Sequence, residues 1–405
     1  NAGAVCSGVL LFEGMTMSVD GLGVTIIGGG IGGLTTALAL RSKGANVRVL
    51  EQADAIREVG AGIQVSPNGL RVFEALGLDE AFAKISVAGQ AVSLRDYKRG
   101  SEVMRLDLTK LPKAQSYRFV HRADLIDLLA TAARKAGVQI RLLQQASSVR
   151  PGAKPRVGNG DHLDDDLVIG ADGLHSVLRP VLNGVAAPFF TGQVAWRAVV
   201  PNLVGHPPEA RVHMGPGRHL VSYPLRGGQA VNLVAVEERK AWQAEGWSHI
   251  DDASNLRAAF AGFGGMVPEM LHAADAPGIW GLFRHSVARN WTGENVALLG
   301  DAAHPTLPFM AQGAVMAIED AWVLADCLAR HDRVAEGLAG YQKRRRARVA
   351  KVVEAANGNA WKYHLSNPLL RGAAHLGLGV MGRMAPDRML GQFDWIYKHD
   401  VTAET

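Results

Sequence analysis

Val24-Thr25-Ile26-Ile27 is an unbroken run of β-branched residues, the pattern of a strand buried on both faces. Three glycines follow it, Gly28, Gly30 and Gly33. Behind them Leu34, Ala37, Leu38 and Leu40 form the apolar face of a helix that Gly44 ends. Val47 to Leu50 restores the strand pattern and leads into Glu51. Further along, Ser66-Pro67-Asn68 starts a predicted helix carrying Leu70, Val72, Phe73 and Leu76, and Gly77 stops it. Loose alternation over 86–106 (Val92, Leu94, Val103, Leu106) predicts a strand pair turned near Lys98-Arg99-Gly100. His121-Arg122-Ala123-Asp124-Leu125 opens an amphipathic helix running to Lys135. Pro151 to Asp165 reads as a polar hairpin or loop, and Asp166 to Gly173 as an apolar strand running into Ala-Asp-Gly.

From Thr191 to about Trp280 the texture changes. Trp196–Val200, Arg211–Met214, His219–Pro224 and Val231–Val236 are separated by Gly/Pro turns and predict a largely antiparallel sheet, with a helix around Ala253 to Phe263. Val296 to Leu299 is another buried strand, ending in Gly300-Asp301. A proline-rich turn (Pro305, Pro308) then leads to Gln312-Gly313-Ala314, the start of a long helix with Val315, Ile318, Ala321, Trp322 and Leu324. Lys343 to Arg346 reads as the solvated face of an exposed helix. Residues 365–405 read as mixed helices and turns with no visible site chemistry.

These elements predict an α/β fold: a Rossmann-like domain built on a parallel sheet, interleaved with an antiparallel-sheet domain and followed by a C-terminal helical region. The first is expected at 21–85, 107–185 and 281–340, the second at 86–106 and 186–280, the third at 341–405. Residues 1–20 are set apart as a tail or upstream remnant, since Met15 and Met17 are plausible starts and no basic region precedes the apolar Val9–Phe12. With 405 residues, 48% hydrophobic and 20% charged, the composition is that of an ordinary globular enzyme. A net charge of +5 argues against a dedicated nucleic-acid binder and mildly favours anionic small molecules. Cys6 and Cys327 provide no disulfide framework and no zinc spacing, so a reducing cytoplasm and no metal are expected. No apolar run reaches the roughly 18 residues of a membrane span.

The chemistry begins with Gly28-x-Gly30-x-x-Gly33 at a strand-to-helix turn. The first glycine permits the turn, the second lets backbone approach a pyrophosphate, and the third lets helix and strand pack closely. Glu51 at the end of the next strand suits the ribose hydroxyls of an adenine dinucleotide, so FAD or NAD(P) is expected here. Asp172, with Gly170 and Gly173, ends a strand where ligands gather in open α/β sheets. Asp301 is placed to accept hydrogen bonds from a polyol chain, and the amides of Gly313 and Ala314 face a developing anion. Arg122 at a helix start can pair with phosphate or hold a cofactor edge.

Gly28-x-Gly30-x-x-Gly33 with Glu51, Asp172-Gly173 and Gly300-Asp301 together resemble the single-component, FAD-dependent aromatic-ring monooxygenases of the para-hydroxybenzoate hydroxylase group. Val59 to Asn68, His121 to Leu125 and Gly300 to Pro305 bring the chain nearer to salicylate hydroxylase, 3-hydroxybenzoate 6-hydroxylase and 6-hydroxynicotinate 3-monooxygenase. The resemblance, which runs from about Val24 to Tyr397, implies FAD, NADH or NADPH as a transient co-substrate, O2, and hydroxylation of a small phenolic, anionic aromatic through a flavin C4a-hydroperoxide. It implies that Glu51 binds the adenosine ribose, that Arg122 contacts FAD, and that Asp172-Gly173 lies by the pyrophosphates. Asp301 would bind the ribityl chain, and Gly313 and Ala314 the isoalloxazine edge. His219 and Tyr223 match pocket residues of 3-hydroxybenzoate 6-hydroxylase. Four apart on a strand, they face the same side. His219 is the expected base or proton relay, and Tyr223 the orienting group.

The chain departs from its relatives at the pocket. Gln64 and Phe309 stand where 6-hydroxynicotinate 3-monooxygenase carries histidines, and Pro308 where 3-hydroxybenzoate 6-hydroxylase carries glutamine. Trp196 to Pro201 lacks the second tryptophan of the halogenases' Trp-x-Trp-x-Ile-Pro. Arg197, Arg211 and Arg218 are all candidates for a substrate carboxylate. A monomer or homodimer without nucleic-acid or membrane partners is expected. Two other readings are a flavin-independent NAD(P) dehydrogenase, which leaves Asp172 and Asp301 without a role, and a flavoprotein that binds an aromatic without turning it over.

Overall fold

The computed structural model describes residues 19–55, 61–112, 115–147, 156–157, 165–241 and 249–403, leaving aside the side chains of 359–361. Cys6, Arg57 to Gly60 and most of Pro151 to Asp165 lie outside the described residues. The β-branched run forms the central strand of a five-stranded parallel sheet. Gly23–Ile27 pairs with Asn46–Leu50 on one side and Leu167–Gly170 on the other, and Gln139–Arg141 and Val296–Leu298 form the edges. Because parallel strands end together, Gly28, Glu51, Ala171 and Leu299 all follow strands at one edge of the sheet.

The helix Ile31–Arg41 contains Gly32, Gly33, Thr35 and Thr36, all poor helix formers. Burial holds it: every residue except Gly32 and Arg41 is buried. A fully buried leucine such as Leu34 or Leu40 contributes about 1.5–3 kcal/mol, against about 1 kcal/mol lost per glycine, so packing wins. The buried hydroxyls of Thr35 and Thr36 donate to the carbonyls of Ile31 and Gly32, both at 2.7 Å. Close approach explains two of the glycines. A Cβ on Gly33 would lie 2.0 Å from the Gly28 carbonyl oxygen, and one on Gly32 would lie 2.8 Å from the Leu299 side chain. Gly32 also meets Ala317 of the helix Gly313–Ala329, so the N-termini of these two helices come close together.

The antiparallel layer is an eight-stranded sheet. Its order is His249–Ile250, Gly278–Arg284, Phe189–Pro201, Ala230–Glu238, Arg218–Leu225, Glu209–Gly215, Ala91–Asp96, Glu102–Asp107. Only the Glu209–Gly215 and Ala91–Asp96 pair runs parallel. Ser86–Ala88, expected in this layer, pairs instead with Arg118–His121 in a small sheet completed by Gly62–Val65. That sheet seats on the large one through Gly62, whose N–H donates to Asn232 Oδ1 at 2.6 Å.

Three expectations are corrected here. Val19, assigned to the tail, is buried in the core. The basic run Lys343 to Arg346 is not a purely solvated face, because Arg345 is 1% exposed inside the helix Val334–Tyr363. It meets Glu319 Oε2 and Asp320 Oδ1, both at 2.7 Å, and Arg348 adds a 3.0 Å contact to Glu319. The C-terminal region, read as free of site chemistry, supplies part of the cavity described next.

Candidate active site

A cavity of about 400 Å³ lies between the parallel sheet's carboxyl edge and the large antiparallel sheet. One end is lined by Gly30, Ile31, Arg122, Gly173, Asp301, Gly313 and Ala314. The other is lined by Gln64, Arg197, His219, Tyr223, Pro308 and Phe309. Eleven of the residues singled out from sequence for cofactor or pocket, all of these except Ile31 and Arg197, therefore face one space. Gly28, Gly33, Glu51 and Asp172 do not line it. Gly28 and Gly33 act in strand–helix packing: a Cβ on Gly28, which has φ +106°, would fall 2.4 Å from the Ala171 carbonyl oxygen. Glu51 accepts the N–H of Gly29 at 2.8 Å and that of Ala53 at 2.9 Å, fixing the backbone at the strand end. Asp172 Oδ2 accepts the Val177 N–H at 2.8 Å and so shapes the loop behind Gly173.

The first end fits a dinucleotide. The helices Ile31–Arg41 and Gly313–Ala329 carry no side-chain cap and no acid in their first turns, leaving amides and positive dipole ends for an anion. A Cβ on Gly30 or on Gly173 would meet nothing within 4 Å, so backbone is open to close approach at both. Asp172 Oδ1 is buried and accepts no hydrogen bond among the described residues. Asp301 is surrounded by protein while its own surface opens into the cavity. Burial pushes its carboxyl up, and His304 and Arg122 pull it down less strongly. Burial and the neighbouring Arg197 lower Arg122 to about 10, which still leaves it cationic near neutrality. These residues fit FAD: a phosphate at the first helix end, the electron-rich edge of the ring at the second, and a carboxylate and an arginine for the groups between.

A polar lock sets the second helix end. The Gln312 Nε2 donates to Ser66 Oγ at 3.0 Å, and the Asn68 Nδ2 donates to Glu319 Oε1 at 2.7 Å. Ser66-Pro67-Asn68 thus starts its own helix and also fixes the turn before Gly313. Ala311, with φ +53°, holds an unusual left-handed conformation in that turn. Below it, His304 Nε2 meets Asp320 Oδ2 at 2.5 Å, and the Gly300 N–H donates to the same oxygen at 3.1 Å.

The second end is aromatic and enclosed. His219 and Tyr223, on the strand Arg218–Leu225, both face inward, as their spacing requires. The His219 ring lies 5.4 Å from that of Phe309 and 5.4 Å from that of Tyr363, and the Tyr223 ring lies 5.2 Å from that of Phe119. Its Nδ1 is 2.6 Å from His364 Nε2, and His364 Nδ1 is 2.8 Å from Glu238 Oε1. Burial, reinforced by His364, holds the His219 imidazolium well below its ordinary range. Burial pushes the Tyr223 phenol up, so it remains a donor. The Tyr117 hydroxyl donates to Gln64 Oε1 at 2.8 Å.

Of the three arginines left open by sequence, only Arg197 lines the cavity. Its guanidinium lies 4.7 Å from the Trp280 ring centroid, and its Nε has no hydrogen-bond partner among the described residues. Arg211 is paired with Glu209 at 2.9 Å and Arg218 with Glu237 at 3.2 Å. Sequence reasoning missed Tyr363, Phe393, Ile396 and Tyr397, which also line the cavity. No local spacing marks them. The one sequence hint is the aromatic cluster Phe393, Trp395 and Tyr397 near the C-terminus.

The family model described as FAD binding domain matches residues 22–356. A 3-amino-4-hydroxybenzoate 2-monooxygenase of Streptomyces cremeus is 35% identical over 84% of this chain and 88% of its own length. A 3-hydroxybenzoate 6-hydroxylase of Polaromonas naphthalenivorans is 34% identical, covering 94% of this chain and 96% of its own. Among solved structures, Klebsiella pneumoniae HpxO complexed with FAD and uric acid superposes with a TM-score of 0.80. It is 26% identical and covers 92% of this chain and 95% of its own.

Proposed function

The chain belongs to the FAD binding domain family of flavin-dependent aromatic hydroxylases, and from that premise we propose that its substrate is a small phenol bearing a carboxylate, a hydroxybenzoate. It is an FAD-dependent aromatic monooxygenase that consumes NAD(P)H and O2. The observation that carries the substrate reading is the continuity of one cavity from two uncapped helix ends to an enclosed pocket holding Arg197, His219 and Tyr223. When bound, FAD supplies the redox chemistry, accepting hydride from NAD(P)H and activating O2.

The protein's residues do the rest. Gly30, Gly173, Arg122 and Asp301 would hold the dinucleotide, and the amides of Gly313 and Ala314 would hold the edge of its ring. The Arg197 fork takes the substrate carboxylate, a pairing strengthened by the surrounding apolar wall. Tyr223 orients the ring by donating its hydroxyl. His219 is neutral near pH 7 and takes the phenol proton, since a phenolate is the better nucleophile. Phe309, Tyr363 and Tyr397 exclude water. A flavin-independent dehydrogenase would leave Asp301 and the second helix end without a ligand.

The test is a panel of hydroxybenzoates (2-, 3- and 4-hydroxybenzoate and 3-amino-4-hydroxybenzoate) scored for stimulated NADH and NADPH oxidation with O2 uptake and hydroxylated product. His219→Asn should lower product formation at least ~100-fold with FAD still bound. Unchanged turnover in that variant would remove His219 from the reaction.

A further inference from the structure

We infer that His219, His364 and Glu238 form a proton path from the buried phenol site to bulk water, an inference that rests on the phenol reading above. The path is continuous in space. His219 lines the cavity, its Nδ1 stands 2.6 Å from His364 Nε2, and His364 Nδ1 stands 2.8 Å from Glu238 Oε1. Its two ends have opposite environments. The His364 side chain is 1% exposed, whereas that of Glu238 is 52% exposed. The three residues come from two neighbouring strands and the C-terminal end of the long helix region, and the strand pairing sets His219 beside Val236, two residues before Glu238.

Hydrogen-bond valence fixes the direction. A carboxylate only accepts, so His364 Nδ1 carries the proton it shares with Glu238. Burial keeps His364 neutral against the pull of Glu238, so its Nε2 holds a lone pair and accepts from His219 Nδ1–H. His219, also neutral, is left with a lone pair on Nε2, the nitrogen available to a ligand. When the phenol O–H bond breaks, an Nε2–H bond forms on His219 and its Nδ1–H breaks. An Nε2–H bond then forms on His364 as its Nδ1–H breaks, and Glu238 takes the proton and releases it to water. No ring accumulates charge, which suits groups whose cationic forms burial disfavours. The reverse sequence restores the tautomers when product takes up a proton. Other titratable groups around the path include Tyr363, which burial raises to about 12, and Arg218, which is engaged by Glu237 at 3.2 Å. Neither offers a competing acceptor.

The experiment is stopped-flow mixing of the FAD-loaded protein with 2-, 3- or 4-hydroxybenzoate in weak buffer containing a pH indicator, with no NAD(P)H present. Wild type should release a proton on binding. Glu238→Gln keeps the oxygen that accepts from His364 but cannot take the proton, so release should slow at least ~10-fold. Hydroxybenzoate affinity and FAD content should be unchanged, and added imidazole should restore the rate. Glu237→Gln, which alters a neighbouring carboxylate facing Arg218, should release as wild type does. Release in Glu238→Gln at the wild-type rate would overturn the path while leaving the phenol site standing. Failure of all three phenols to bind would overturn the site, and the path with it.

Discussion

Among single side chains, Arg197 carries the most specific expectation. Its charge is enclosed, stacked on Trp280 and without a carboxylate partner among the described residues. Truncating one partner of a buried charge pair costs about 2–5 kcal/mol, so Arg197→Gln should raise KM for a hydroxybenzoate at least ~30-fold. Steady-state kinetics would check this, and an unchanged KM would place the carboxylate elsewhere. Two buried histidines that do not line the cavity set an acid limit. Burial lowers His206 to about 4 and His213 to about 3, against an ordinary value near 6.5. The folded values lie below the unfolded ones, so the stability they contribute is full above pH 6.5 and is lost as pH falls toward 4 and then 3. The melting temperature should therefore decline progressively below pH 6.5, and His206→Gln should flatten part of that decline. The placement of Gly30, Gly173 and Asp301 beside strand ends was legible in the sequence because it is set by local strand-to-turn patterns. Arg197 was one of three equivalent arginines until the fold showed which one faced inward.

Between elements, the join of the helices Gly313–Ala329 and Val334–Tyr363 depends on Arg345. Its two carboxylate partners are themselves buried, so Arg345→Met would strand uncompensated charge. Breaking a buried pair from one side costs about 3–5 kcal/mol, so the unfolding free energy extrapolated from urea titration should fall by about that much, with a matching drop in the midpoint. Burial opposes ionisation of Asp320, and His304 and Arg345 outweigh it, bringing its carboxyl to about 2. Its contribution is thus present above about pH 4 and lost as pH falls toward 2, a window that extends below that of the histidines. Strand and helix patterns found the βαβ unit and the antiparallel sheet. They misread Lys343 to Arg346, because periodicity reports polarity and not whether two acids wait on the neighbouring helix. Ser66-Pro67-Asn68 was legible as a helix start, but its lock on Gln312 and Glu319 depends on long-range packing.

At the scale of the whole molecule, the C-terminal segment closes over the cavity. Arg71 donates to the carbonyls of Tyr397 at 3.0 Å and His399 at 2.6 Å, and Arg348 donates to that of Trp395 at 2.9 Å. These bonds hold Tyr397 against Tyr117, with ring centroids 5.9 Å apart. Arg71→Met should loosen that wall and admit water, raising the hydrogen peroxide released per NAD(P)H while leaving FAD content unchanged. Unchanged coupling would show that the segment closes nothing. This closure was illegible in the sequence, since residues more than 300 positions apart meet only once the sheets are stacked. The continuity of the cavity can be read optically: the FAD-loaded protein is titrated with hydroxybenzoates while flavin absorbance is recorded and binding is followed in parallel by calorimetry. The expected result is a saturable change in the flavin bands that tracks binding and weakens in Arg197→Gln. A hydroxybenzoate that binds by calorimetry yet leaves the flavin spectrum untouched would contradict a shared cavity.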